Sequence, residues 1–152
     1  MKVLNNINDY PNLNLRDDVP TEETIASINK YWDGVKKESR FSSYLKACPY
    51  LHDAYIKKIK YGKDMEIFFE TYKDGKPFTL IFYGVKDFRT YKTNEKGKLT
   101  CKNVDFDIFG YDSIFIENDM IQYVFLFWQK DWRRQRTHNA CMVLCDSISF
   151  KM

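Results

Sequence analysis

The sequence predicts an α+β protein, an antiparallel β-sheet meander with one or two N-terminal helices packed on one face. Apolar residues before residue 48 recur every three or four positions, which is typical of amphipathic helices. After residue 60 apolar and polar residues alternate with the period of two that indicates strands, and short turns separate the runs. The 152 residues predict one domain, with a lead-in arm at 1–19, helices at 20–48 and a sheet at 50–150.

Composition limits the class of protein. Hydrophobic residues make up 44% of the chain and charged residues 30%, which is ordinary for a globular protein. The formal charge of +3 is too small to indicate nucleic-acid binding by itself. Mixed polar residues follow Met1, and no apolar run approaches the ~20 residues that span a bilayer. We therefore expect a cytoplasmic protein without membrane contact.

The helical part is predicted to lie between about residues 21 and 47. Pro20 suits the start of a helix, and Glu22 and Glu23 fall in a first turn, where the helix dipole favours acids. Gly34 is expected to end or kink the helix, and Pro49 to stop a second one. The first apolar stripe consists of Ile25, Ile28, Trp32 and Val35, and the second of Phe41, Tyr44, Leu45 and Cys48.

The first hairpin joins two runs, 54–61 and 65–72, through a polar break that contains Gly62. Ile56 and Ile59 are three positions apart, so a regular strand would direct them to opposite faces. A β-bulge between them would restore one buried face. One turn of helix is the alternative, but a short β-branched and aromatic run favours the strand.

Further strands are predicted at 77–84, near 99–109, at 120–128 and at 140–149. Both faces of 77–84 are apolar, so this strand is expected to be central in the sheet. Residues 86–98 are polar, and within them 94–98 are expected to form a solvated turn; a second polar stretch covers 129–139.

No motif indicates catalysis. His52 and Asp53 form the one adjacent pair of histidine and carboxylate, and their expected role is to cap the entry to the first strand. Ser113 and Ser147 each follow an aspartate, but neither lies in a Gly-x-Ser-x-Gly turn. No glycine-rich phosphate loop occurs. The sequence therefore predicts no enzyme activity and no cofactor.

The four cysteines do not have the spacing of a metal site or of a redox motif. Cys141 and Cys145 would lie about 13 Å apart on one strand at ~3.3 Å per residue, too far for a disulfide. We expect all four thiols to be reduced and no metal to be bound.

Two charged stretches are candidate contact faces. The segment 130–136 holds four basic residues and a tryptophan, which suits phosphate binding and base stacking, although a solvated loop is the simpler interpretation. Residues 103–129 contain five acids and no base, and could meet a basic partner protein. The candidate partner-binding residues are Asp105, Asp107, Tyr111, Asp112, Trp132, Arg133, Arg134 and Arg136.

One resemblance concerns the run Leu51-His52-Asp53-Ala54, followed by Ile56, Ile59, a turn and Met65-Glu66-Ile67. It resembles the hairpin of small uncharacterised bacterial "Leu-His-Asp" β-sheet domains, some of which resemble immunity-type proteins of polymorphic toxin systems. The tail from Trp128 to Phe150 is similar to the end of such domains. The resemblance covers about residues 50–150 and implies a sheet-rich binding domain without catalytic residues.

These observations favour a non-catalytic protein-binding module, such as an immunity protein or another inhibitor that neutralises its partner by covering a surface. The expected partner is another protein, with a toxin as one example. A nucleic-acid-binding accessory factor that uses the basic loop 130–136 is the alternative.

Overall fold

The computed structural model describes residues 6–10, 13, 21–94, 96, 98–102, 108–128 and 139–152. Within these residues two helices precede a nine-stranded antiparallel sheet, which confirms the predicted α+β class and antiparallel meander. The helices are α1 (Glu22–Lys37) and α2 (Ser42–Leu51), joined by a 3-10 turn at Ser39–Phe41. The strands are β1 (Tyr55–Lys60), β2 (Met65–Glu70), β3 (Pro77–Tyr83), β4 (Asp87–Thr93), β5 (Leu99–Cys101), β6 (Ile108–Glu117), β7 (Met120–Trp128), β8 (Asn139–Cys145) and β9 (Ser147–Lys151).

Both predicted helix ends were wrong by a few residues. Helix α1 continues through Gly34 to Lys37, and α2 continues through Pro49 to Leu51. Leu51 is fully buried against the sheet, so tertiary packing outweighs the local preference of proline. The predicted start at Pro20 lies outside the described residues, and Thr21 caps α1 by accepting a hydrogen bond from the Thr24 N–H at 3.2 Å.

Helix α2 provides most of the cover on the inner face of the sheet. Its Tyr44, Ala47 and Leu51 are buried, whereas α1 buries Val35 alone among its residues. Ile25, at the start of the predicted apolar stripe of α1, is 48% exposed. The N-terminal half of α1 therefore extends beyond the core.

The predicted bulge in the first hairpin is confirmed. The register between β1 and β2 shifts between Ile56 and Lys58, so that Ile56 pairs with Phe69 and Ile59 with Ile67. Both isoleucines consequently pack on the main core.

Other strands differ from the predictions. Residues 87–93, where no strand was predicted, form β4, and the strand expected at 140–149 is divided at Asp146 into β8 and β9. The expected strand at 99–109 corresponds to β5 and the start of β6, with 103–107 outside the described residues.

The expectation that 77–84 is central was also wrong. The strand order is β5-β4-β8-β7-β6-β1-β2-β3-β9, so β3 lies next to the end of the sheet. Phe78, Leu80 and Phe82 face the core, whereas Thr79 and Ile81 are only partly buried on the other face. Among the described strands, β7 and most of β8 are buried on both faces.

Two paired strands form a bent ribbon, in which β3 pairs with β9 on one side of the bend and β4 pairs with β8 on the other. Strand β3 leads into β4 and β8 leads into β9, and hydrogen bonds continue across the bend from the Lys86 N–H to the Leu144 carbonyl at 2.8 Å and from the Asp146 N–H to the Tyr83 carbonyl at 2.9 Å. The sheet therefore curves back on itself. The rings of Phe82 and Tyr123 are 5.7 Å apart although four strand-to-strand steps separate them in the sheet order, whereas four steps in a flat sheet would span about 19 Å.

The two faces of the sheet carry separate cores. The inner core contains the buried residues of α2 and aromatic residues from β2, β3, β6 and β7. On the outer face of β7 and β8, the N-terminal residues Ile7, Tyr10 and Leu13 are buried against apolar side chains. Asn6 forms an isolated bridge with Lys98 beside them. The described residues of the predicted lead-in arm thus cover the outer face of β7 and β8, and no residue of β1, β2, β3 or β9 belongs to this second cluster.

No helix in the described part of the chain has the length and apolar character that a membrane span requires.

Candidate functional site

The predicted partner-binding residues fall into two groups. Six of the eight lie outside the described residues, namely Asp105, Asp107, Trp132, Arg133, Arg134 and Arg136. The predicted roles of the acidic stretch at 105–107 and of the basic loop therefore stay predictions.

The other two predicted residues point to opposite sides of β6. Tyr111 is 43% exposed, and its ring lies 5.7 Å from that of His52. Asp112 is only 6% exposed, so the prediction that it belongs to a surface contact face was wrong. Neighbouring side chains on a strand alternate between faces, and a register shift between Phe109 and Asp112 directs Asp112 into the core.

Asp112 is the centre of a buried hydrogen-bond network. The hydroxyl of Tyr44 on α2 donates to Asp112 Oδ2 at 2.5 Å, and the hydroxyl of Tyr123 on β7 donates to the same oxygen at 2.8 Å. Burial raises the pKa of Asp112, while the two hydroxyl donors oppose that shift. Since the network joins α2, β6 and β7, it holds β6 in a fixed position under the helices.

Tyr31 connects α1 to the same strand. Its hydroxyl oxygen accepts a hydrogen bond from the Ile114 N–H at 2.8 Å. Burial raises the pKa of Tyr31, although this N–H opposes the change. A backbone donor of β6 is therefore satisfied by a helix side chain and not by a neighbouring strand.

A groove of about 510 Å³ lies between α1 and β6. This volume is within the range of ~300–1,000 Å³ that is common for ligand sites. At Gly34 the helical wall has no side chain, and a Cβ built there would meet nothing within 4 Å. The lining residues are Ser27, Lys30, Tyr31, Gly34, Val35, Glu38, Phe41, Ile114, Phe115 and Ile116.

Arg40 ties the helices to the β6–β7 turn near one end of this groove. Its Nε lies 3.1 Å from Glu38 Oε1, and its Nη1 donates to the Asp119 carbonyl at 2.9 Å. Asn118 and Asp119 both have positive φ in this tight turn. The connection fixes the distance between the end of α1 and the end of β6.

The half of the sheet formed by β1, β2, β3 and β9 has an aromatic outer surface, which we name the aromatic face. The register of β1, β2, β3 and β9 places alternate residues on it. Phe68 and Ile81 are partly buried near its middle, and Tyr83 is exposed at its rim. Its members are Tyr55, Lys58, Lys60, Glu66, Phe68, Glu70, Thr79, Ile81, Tyr83, Ser149 and Lys151.

Acidic and basic side chains are paired on the aromatic face. Lys57 Nζ lies 3.3 Å from Glu70 Oε2 and 5.9 Å from the centre of the Tyr55 ring. Lys60 Nζ lies 3.9 Å from Glu66 Oε2. Lys57 and Lys60 are therefore partly neutralised by the acids of β2.

Residues that could carry chemistry are arranged in a way that fits structural roles. His52 Nε2 lies 3.4 Å from Asp53 Oδ2, and the Asp53 N–H donates to the Phe109 carbonyl where β1 meets β6. The four cysteines are free thiols. Burial raises the pKa of Cys48 to about 11 and that of Cys145 to about 12, so neither forms the thiolate that acts as a nucleophile at neutral pH.

In the described part of the chain, no group of three or more histidine, cysteine, aspartate and glutamate side chains converges as a metal site requires. Comparison with protein-family models, curated proteins and solved structures gave no match for this chain. The assignment of a function therefore rests on the surfaces themselves.

Sequence reasoning missed both surfaces. The apolar residues on the second face of 77–84 contribute to the aromatic face. In the sequence alone, two apolar faces indicate a strand that is buried on both sides. The groove had no sequence signal, because its walls are a helix and a strand about 80 residues apart in the chain.

Proposed function

We propose that this protein is a non-catalytic protein-binding module, which acts by covering a surface of its partner without chemical turnover. An inhibitor or an immunity protein would work in this way. The observation that supports the proposal is the aromatic face, where Phe68 and Ile81 lie between tyrosines and charged residues. An apolar centre with a polar rim, rich in tyrosine, is the usual arrangement of a protein interface.

The contrast between the two halves of the outer surface supports this proposal. The N-terminal arm buries the outer residues of β7 and β8, including Val124 and Met142, which are fully inaccessible. On the aromatic face Ile81 keeps partial exposure and Tyr83 is exposed. A partner that covers this second half would bury the remaining apolar surface of the sheet.

The charges favour a protein partner over a nucleic acid. Glu66 and Glu70 lie on either side of Phe68 on the same strand face. Carboxylates at these positions would repel phosphates and would accept hydrogen bonds from a protein. They pair with Lys57 and Lys60, so charges of both signs are interspersed on this surface and do not form a continuous basic patch.

Site-specific photo-crosslinking in the native cell tests the proposal. A benzophenone amino acid at Ile81 is expected to capture a discrete partner polypeptide, because this position lies within the aromatic face. The same probe at Lys37, exposed on α1, is the matched control and is expected not to capture that polypeptide. Phe68→Ser combined with Tyr83→Ser should remove the Ile81 product.

Equal products from Ile81 and Lys37, or an Ile81 product unaffected by the double variant, would contradict binding through this face. A substrate turned over by the purified protein, with turnover lost in His52→Ala, would contradict the non-catalytic mode of action.

A further inference from the structure

Beside the groove, one edge of β6 is not paired with any strand of the described part of the chain. Among the described residues, its pairing with β1 consists of Tyr55 opposite Ile108, together with backbone hydrogen bonds at Phe109. On the other side β6 pairs with β7 along its length to Glu117. After the register shift that follows Phe109, the edge of β6 opposite to β7 therefore runs along the helices.

The direction of the backbone groups on this edge follows from one hydrogen bond. The Ile114 N–H is bound by Tyr31, so it points toward α1 and away from β7. In a strand the N–H and the carbonyl of one residue point to the same side, and residues two apart repeat that direction. The carbonyls of Ile114 and Ile116 and the Ile116 N–H consequently point to the groove.

We propose that this groove binds an extended segment of a partner polypeptide, which adds to the edge of β6 as a short strand. The segment would pair with the Ile114 carbonyl and with both backbone groups of Ile116. Donors and acceptors at strand spacing are matched by an extended backbone, which is the basis of recognition by strand addition. The number of backbone hydrogen bonds to the segment is limited, because the Ile114 N–H already donates to the Tyr31 hydroxyl.

The side chains around the groove specify the chemistry of the segment. Val35 and Phe41 are buried apolar residues of the lining, and Gly34 leaves space above them. Lys30 and Glu38 are eight positions apart, which is about 12 Å along a helix at 1.5 Å per residue. Glu38 is already paired with Arg40, so Lys30 supplies the positive charge available to the segment. We expect an apolar residue over Gly34 and an acidic group toward Lys30.

A variant that fills the groove gives a direct test. Gly34→Leu places a side chain where a Cβ meets nothing within 4 Å, and leucine favours a helix more than glycine does. The variant is therefore expected to fold at least as stably as the wild type. Lys36→Leu, at an exposed position of the same helix, introduces the same residue outside the groove and is the matched control.

The probe is a displayed library of short random peptides, selected on the wild-type protein. Selected peptides are expected to contain an apolar residue and an acidic residue, to bind Lys36→Leu as they bind the wild type, and to lose about tenfold or more in affinity for Gly34→Leu. Peptides that bind all three proteins equally, or a selection that yields no peptide, would overturn the proposal.

N-methylation of a selected peptide distinguishes strand addition from other modes of binding. Methyl groups at alternate backbone nitrogens should abolish binding, because those N–H groups would donate to the Ile114 and Ile116 carbonyls, while methyl groups at the nitrogens between them should be tolerated. Equal tolerance at every position, or binding that increases with the helical content of the peptide, would contradict an extended occupant.

This inference rests on the proposed protein-binding function but not on the aromatic face. If the peptide selection fails while the specific Ile81 crosslink is still observed, the groove proposal is rejected and the aromatic face stays supported. If peptides bind in the groove but no specific Ile81 crosslink is found, the aromatic face is rejected and the groove stays supported.

Discussion

Gly84 lies directly against the side chain of Asp146, where β3 turns into β4 and β8 into β9. Gly84 has a φ of +62°, and a Cβ added to it would overlap the Asp146 carboxylate. The Gly84 N–H also donates to Asp64 Oδ1 at 3.1 Å. The bend of the ribbon therefore depends on a residue without a side chain at this position.

Gly84→Ala is expected to destabilise the protein by about 1–3 kcal/mol, from the strain of a positive φ and from displacement of the Asp146 side chain. Gly34→Ala is the matched control, because this glycine lies in a helix with open space around it; it is expected to stabilise by up to about 1 kcal/mol. Urea unfolding of both variants measures the difference. Equal effects would show that the bend tolerates a side chain.

Asp112→Asn is expected to change the pH dependence of stability. Because burial raises the folded-state pKa of Asp112 above its unfolded value, the contribution of wild-type Asp112 is fully present below the unfolded pKa of about 4 and is lost as the pH rises through the folded pKa. The wild type should therefore lose stability relative to Asp112→Asn as the pH increases through that window.

Urea unfolding across this pH range measures the effect, with Asp74→Asn in an exposed turn as the control. A difference between wild type and Asp112→Asn that stays constant with pH would contradict a raised pKa at Asp112.

Phe82→Ala is expected to cost about 3–5 kcal/mol, the usual range for removing a buried aromatic ring. Phe82 is inaccessible on the inner face and contacts the Tyr123 ring across the curved sheet. Tyr83→Ala, the next position on the exposed face, is expected to change the free energy of unfolding by less than about 1 kcal/mol. Thermal or urea unfolding checks both values, and similar losses for the two variants would contradict the assignment of faces.

The protein is expected to give no salt-dependent shift of labelled single-stranded DNA or RNA, in keeping with the acids on the aromatic face. A clear shift would instead support the basic loop as a nucleic-acid site. In that case changing Arg133, Arg134 and Arg136 together to alanine should reduce the slope of log affinity against log salt by about 0.7–0.9 for each lost phosphate contact.

Much of the fold could be predicted because local patterns agree with tertiary packing. The period of two defined β2, β3 and β7, and the spacing of Ile56 and Ile59 required the bulge that the register shows. Strand β4 was missed because its burial follows no alternation, with Thr90 and Tyr91 buried in succession. The curvature of the sheet was also beyond local patterns, since it depends on pairing between β4 and β8, about 50 residues apart.

The candidate site was less predictable for a similar reason. Charged residues in the sequence predict an exposed surface. Asp112 is an exception because its surroundings differ from those of an exposed aspartate: the hydroxyls of Tyr44 on α2 and Tyr123 on β7 bind its carboxylate. A single sequence does not show which distant partners a polar residue meets. Tyr111 lies next to the buried Asp112 on β6 and points to the opposite side. Among the described residues, it is the predicted contact residue that is exposed.

The bent ribbon also determines the order in which the protein can fold during synthesis. Strands β1 to β3 leave the ribosome well before β8 and β9, yet β3 pairs with β9 and β4 with β8. Until the segment up to Lys151 has emerged, the edges of β3 and β4 lack these partners, and such nascent edges are the sites where chains associate wrongly. The nascent chain thus depends on β8 and β9 to protect the edges of β4 and β3.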